Sequence, residues 1–206
     1  MGQIIMFQQQ PLQSLKYARA VALIVFLCTL SACSGKHTAP LKTIDTLARE
    51  KFEGEWYVIA NIPYFAEKNK IATRTTYRKR GENKYDDIFT YKTGDFNSED
   101  KTKVGSIKSM NEQNNQWQST FYWFFKFKFN ILYVNSDHSV MLLGHPSRNY
   151  GWVMSLTKTI DDQQYAHAMQ IFADNGYDKL KFSKVPQLPA QLGLPGFQTT
   201  RATNED

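Results

Sequence analysis

From Trp56 to Thr157 the chain repeats one theme: short segments rich in Tyr, Phe, Trp, Thr, Val and Ile, set apart by clusters of Gly, Asn and Asp. Such residues suit a pleated, half-buried surface, and their regular spacing points to an all-β barrel or sandwich. About eight segments meet the criterion: Trp56 to Asn61, Ile71 to Lys79, Tyr85 to Thr93, Lys103 to Met110, Trp117 to Phe125, Phe127 to Val134, Val140 to Leu143 and Tyr150 to Thr157. Arg80-Gly81-Glu82-Asn83, Gly94-Asp95-Phe96-Asn97, Asn111 to Gln116 and Asn135-Ser136-Asp137 separate them, and supply the positive φ or local side-chain bonds that turns require.

The period then changes. Thr159-Ile160-Asp161-Asp162 offers capping oxygens and first-turn negative charge, and Tyr165, Ala168, Met169 and Phe172 recur at helical spacing until Asn175-Gly176. That apolar stripe must be buried, and the outside of a barrel is the available surface. Lys179 to Val185 reads as a last strand, and residues 186–206, rich in Pro, Gly and polar residues, as a mobile tail. A barrel of eight strands either fills with side chains or holds one small ligand.

The N-terminus obeys other rules. Lys16 and Arg19 precede an unbroken apolar run, Ala20 to Leu30, which is shorter than the roughly 20 residues needed to span a bilayer. This is the layout of a cleaved export signal. Leu30-Ser31-Ala32-Cys33 resembles the bacterial lipoprotein signal, in which the cysteine is acylated and becomes the new N-terminus. The resemblance implies a signal peptide over 1–32 and a lipid anchor at Cys33. With Ser34 following, it also implies delivery to the outer membrane. A tether over 33–43 would then lead to a barrel domain over 44–185. Cys28 leaves with the signal, so neither disulfide nor thiol chemistry is expected of the mature chain. Its formal charge falls by two from +6, and no basic stripe marks a nucleic-acid surface.

Gly54-Glu55-Trp56-Tyr57-Val58-Ile59-Ala60 resembles the lipocalin signature. The same family is suggested by Arg74-Thr75-Thr76-Tyr77, by Asn130 to Val134, by the run Pro146 to Ser155, and by the helix that follows. The resemblance, to the bacterial lipocalins anchored as outer-membrane lipoproteins, runs from about Ile44 to Val185. It implies an eight-stranded antiparallel up-and-down β-barrel, a calyx, with one C-terminal α-helix packed outside. It also implies that Gly54 and Trp56 close the barrel floor, the glycine admitting a close neighbour and the indole plugging the narrow end. The family usually places an Arg over that Trp; here Leu156 stands at the position, so the floor is closed either by apolar packing alone or by Arg74 or Lys158.

Alternation extends this to a lining. With Trp56 inward, Val58 and Ala60 follow it. Thr73, Thr75 and Tyr77, then Trp117, Ser119, Phe121, Trp123 and Phe125, then Trp152, Met154 and Leu156 share that inward parity on later strands. Tyr122 and Phe124 occupy the opposite face, either under the helix or as an exposed patch for a partner or membrane. Tyr64 and Phe65 lie in the segment expected to fold over the mouth, where they either gate access or pin the loop. Lys126 and Lys128 either meet an anionic head group or sit as solvated gatekeepers on a greasy strand.

The expected function is to bind a fatty acid, lysophospholipid or similar hydrophobic ligand for storage, transport or envelope maintenance, with the domain facing the periplasm. The alternative is an envelope scaffold with a filled barrel that meets a protein partner through its outer aromatic face. His37, His138, His145 and His167 are scattered, with no zinc spacing and no nucleophile-base pair. No catalytic residue, metal or cofactor is therefore expected.

Overall fold

A computed structural model describes residues 39–121 and 124–199. The signal segment, Cys33, Trp123 and Tyr122 lie outside the described residues. From Pro40 onward the chain forms one unit. Its strands are β1 (Gly54–Asn61), β2 (Lys70–Gly81), β3 (Lys84–Thr93), β4 (Lys101–Ser109), β5 (Gln116–Phe121), β6 (Phe125–Val134), β7 (Val140–Gly144) and β8 (Gly151–Ser155), followed by the helix α1 (Asp162–Asp174) and a short β9 (Ser183–Lys184). Consecutive strands from β1 to β8 pair antiparallel, and β8 returns to β1. The sheet is therefore a closed up-and-down barrel, with no free edge among the eight.

One hairpin turns earlier than its sequence suggests. β5 ends at Phe121 and β6 already begins at Phe125, the two residues facing each other. The turn falls inside an unbroken aromatic run with no Gly, Asn or Asp to announce it.

Two cores share the wall. Inside the barrel Trp56, Tyr77, Tyr85, Trp117, Ile131 and Met141 pack together. Outside it, Ala168, Met169 and Phe172 of α1 bury against Ile59, Leu142 and Val153. Each large apolar side chain so buried contributes roughly 1.5–3 kcal/mol. The helix starts at a capping box: Asp161 Oδ1 accepts from the Gln164 N–H at 2.7 Å, while Gln164 Oε1 accepts from the Asp161 N–H at 3.2 Å. Gly176, at φ +81°, follows its end.

A bulge between Val58 and Ala60 breaks the alternation of β1. Val58 stays inside, opposite Met154, but Ala60 pairs with Val153 and joins the helix-side core. The expected inward position of Ala60 is thus corrected; Asn61, opposite Trp152, takes the inward place instead.

The second correction concerns the C-terminal segment. Pairing between β1 and β2 runs only from Gly54↔Tyr77 to Tyr57↔Arg74. Beyond that the chain after β9 fills the seam: the Val185 N–H donates to Ile59 O, the Ala72 N–H donates to Pro186 O, and Gln187 Nε2 donates to both Val58 O at 2.8 Å and Thr73 O at 2.9 Å. The Val185 side chain belongs to the inner core. Further on, Lys184 exchanges backbone bonds with Gly196 and Gln198. Composition pointed to a mobile tail from Pro186. Residues 186–198 instead complete and brace the wall, because two splayed strands leave backbone groups that need partners. Residues 200–206 lie outside the described range.

Candidate ligand cavity

The narrow end is sealed by a residue that no strand pattern marks. The segment before β1 crosses beneath the barrel, held by Ile44 N–H to Ile131 O and Leu47 N–H to Gln113 O. It delivers Phe52, fully buried, between Tyr77 and Trp117, with ring centroids 4.2 and 4.1 Å away. Tyr85 meets it edge-on at 5.7 Å. The Trp56 indole N–H donates to Phe52 O at 3.1 Å. Apolar packing therefore closes the floor. Leu156 is exposed, Arg74 pairs with Glu55 and Asp100 on the outside, and Lys158 lies over the outward ring of Tyr57. Gly54 serves differently from the expectation: an added Cβ would touch nothing, but φ is +117°, which disfavours any side chain.

Above the floor lies a cavity of about 90 Å³. Six of the expected residues line it: Val58, Thr75, Tyr77, Phe121, Trp152 and Met154. Trp123 lies outside the described residues and Ala60 faces the helix. Ser119 and Phe125, which share the expected inward parity, line it too, as do Phe127 and Phe129, so the odd positions of β6 point inward; Leu156, just past the end of β8, is exposed instead. Lys126 and Lys128 are exposed on the opposite face, as solvated gatekeepers. Phe124 is exposed as well.

Two buried carboxyls were not foreseen. Asp87, just above the floor, accepts from Thr75 Oγ1 at 2.7 Å and from Ser119 Oγ at 2.6 Å. Burial raises its pKa, and the two hydroxyl donors oppose that rise. Asp87 shares strand parity with Tyr85, Phe89 and Tyr91, so alternation along β3 carried the signal. Glu67 belongs to the mouth loop and turns inward, where its Oε1 accepts from the Trp152 indole at 2.7 Å and its Oε2 from Asn61 Nδ2 at 3.0 Å. Burial pushes this carboxyl up to about 7, against the lowering pull of hydrogen bonds from Trp152, the Tyr64 backbone and Asn61. The loop has no periodic pattern, so nothing in the sequence aims Glu67 inward.

At the mouth Tyr64 lines the cavity and lies 6.2 Å from both Phe127 and Tyr150, while Phe65 is 77% exposed and meets Phe125 edge-on at 6.5 Å. Tyr64 is thus the inner stopper and Phe65 its outer neighbour. His145 meets the Phe127 ring at a tilt, centroids 4.7 Å apart, with its Nδ1 2.8 Å from Ser147 Oγ. The Ser147 N–H also donates to that Nδ1, and the Asn149 N–H to Ser147 Oγ. These bonds shape a turn, and neither side chain lines the cavity. Among the described residues no group of three His, Cys, Asp or Glu is placed to hold a metal.

A closed eight-stranded calyx with a plugged floor, an aromatic mouth and an outer helix defines a small-ligand binding barrel. The sequence agrees: a family model described as "Lipocalin-like domain" matches residues 47–187, and the chain belongs to the lipocalin-like family. Members of that family bind small hydrophobic ligands and are in general binding and transport proteins. The chain is similar to temperature-induced lipocalin-1 of Arabidopsis thaliana, 26% identical over 167 residues that cover 71% of this chain and 83% of the other. It is also similar to the outer membrane lipoprotein Blc of Citrobacter freundii, 22% identical over 169 residues, 81% of this chain and 95% of the other. Among solved structures, insecticyanin from the tobacco hornworm Manduca sexta shares the fold, with a TM-score of 0.58 at 15% identity over 79% of this chain and 90% of its own.

Proposed function

We propose that this chain is an acyl-anchored lipocalin of the bacterial outer membrane. It takes up a fatty acid, lysophospholipid or similar single-chain hydrophobic molecule, for storage, transport or maintenance of the envelope. The observation that carries this reading is the aromatic-lined cavity closed at the floor by Phe52 and covered at the mouth by Tyr64. Burial of the chain supplies the affinity, at roughly 0.8 kcal/mol per CH₂. A cavity of about 90 Å³ is smaller than the ~300–1,000 Å³ of typical ligand sites, so a long chain displaces Tyr64 and the phenylalanines of the mouth as it enters.

The membrane half of the reading rests on the leader over 1–32, the lipoprotein-like Leu30 to Cys33, and the similarity to an outer membrane lipoprotein. Cys33 is the anchor and residues 33–43 the tether, whose distal end is pinned where the Lys42 N–H donates to Asn175 Oδ1 at 2.7 Å. The test is native mass spectrometry of protein purified from membranes without delipidation, beside labelling with palmitate. A single bound amphiphile and label that vanishes in Cys33→Ser are expected. An empty barrel with a stoichiometric protein partner would favour the scaffold reading instead, and equal labelling of Cys33→Ser would remove the anchor.

A further inference from the structure

The cavity lining is largely aromatic, with Tyr64, Phe89, Phe121, Phe125 and Phe127. One of its two acids, Asp87, pairs across the strands with Tyr77, whose ring stacks on Phe52 of the floor, and accepts from the hydroxyls of Thr75 and Ser119; the other, Glu67, belongs to the mouth loop. Asp87 is 6% exposed, and both its oxygens already accept from hydroxyls, bonds that favour the ionised form against the burial that disfavours it. Glu67, the second acid of the lining, is also buried. Among the described residues that line the cavity there is no lysine, arginine or histidine. A buried carboxylate without a cation is costly, and a ligand that brings positive charge or a hydrogen-bond donor to it recovers part of that cost. A second carboxylate brought beside it adds repulsion in a low dielectric.

We infer that the barrel takes its ligand head-first, and that the head is a hydrogen-bond donor without negative charge, a primary amine above all, seated against Asp87 with its apolar chain running out through the aromatic mouth. This rests on the ligand-binding reading of the barrel and narrows it: amphiphiles with a protonated amine bind best, alcohols follow, and ionised carboxylates bind worst. Thr75 and Ser119 keep Asp87 oriented, and each hydroxyl oxygen retains a lone pair for a further donor.

The experiment compares octylamine, octanol and octanoate at pH 7, well below their micellar concentrations, against the full chain and its D87N and E67Q variants. Binding is read by quenching of tryptophan fluorescence, since Trp152 lines the cavity. In the unaltered chain octylamine is expected to bind at least tenfold tighter than octanoate, with octanol between them. D87N is expected to erase that ratio while changing octanol affinity less than threefold; E67Q is expected to keep it. Thermal unfolding of both variants shows whether they are folded, and the order of the three ligands on the unaltered chain decides the matter even if D87N is not. Equal binding of the three, or preference for octanoate, overturns the inference while leaving a ligand-binding barrel. Loss of the preference in E67Q but not in D87N overturns head-first binding, since the head then sits at the mouth. If none of the three binds, the ligand-binding reading falls, and the inference with it.

Discussion

The indole N–H of Trp152, on β8, donates to Oε1 of Glu67 at 2.7 Å, and so pins the mouth loop to the inner wall of the barrel. The loop is tied twice, because Asn61 at the end of β1 bonds the other carboxylate oxygen. Asn61 Oδ1 in turn accepts from Gln198 of the C-terminal segment. The mouth and the seam-filling segment are therefore parts of one polar network.

This latch gives stability a distinct pH dependence. The Glu67 carboxyl lies at about 7 in the folded chain, against 4.5 for its ordinary value. Between those values the folded state holds a proton that the unfolded state has released, so stability falls as pH rises through that window and levels off above it. The displacement corresponds to about 3 kcal/mol. Denaturant midpoints taken from pH 5 to pH 8 are expected to decline in the unaltered chain. In Glu67→Gln the decline over that window should largely disappear.

The floor depends on one ring. Phe52→Ala removes the partner of Tyr77, Tyr85 and Trp117 at once and leaves a cavity in the barrel's narrow end. A loss of about 3–5 kcal/mol is expected from equilibrium unfolding. Leu156→Arg, which restores the residue type usual in the family, is expected to change stability by less than about 0.5 kcal/mol, since that side chain is exposed here.

The seam offers a sharper probe. Gln187→Leu keeps the volume but withdraws the amide that satisfies Val58 O and Thr73 O. Each buried carbonyl left without a donor costs about 1–3 kcal/mol. Unfolding should show a loss of about 2 kcal/mol, both carbonyls taken at the low end of that range, and amide exchange near Val58 and Thr73 should accelerate more than exchange in β6 and β7.

Gly105 faces Asp87 across β3 and β4. A Cβ there would lie 2.7 Å from Thr120 O and 2.8 Å from the Phe121 ring. Gly105→Ala is therefore expected to push Phe121 from its place in the lining. Ligand affinity should fall about tenfold or more, as read by tryptophan quenching, beside a stability loss of about 1–3 kcal/mol for overpacking.

The strands, the helix and most of the lining were legible because period 2 and period 3.6 are written directly into residue order. Val58, Thr75, Tyr77, Phe121, Trp152 and Met154 were all reached by counting from Trp56 or its counterparts on other strands. Counting failed where one extra residue intervened: the bulge at Ile59 turned Ala60 outward, and a bulge has no compositional mark. Asp87 was legible and overlooked, its acidity masking an inward position shared with Tyr85 and Phe89. Phe52, Glu67 and Gln187 were not legible, since each sits in aperiodic chain and acquires its role from a partner distant in sequence. The hairpin at Phe121–Phe125 was missed because aromatic residues usually signal strand continuation.

The wall of this barrel is finished by residues 183–187, which wedge between β1 and β2 although they follow those strands at a long distance in the sequence. Synthesis runs from the N-terminus, so every intermediate length short of Gln187 has its two oldest strands splayed and the carbonyls of Val58 and Thr73 bare to water. The container stays unzipped while the polypeptide is being made. It can draw shut only once residues 183–187 have arrived, so the vessel closes late in its own making.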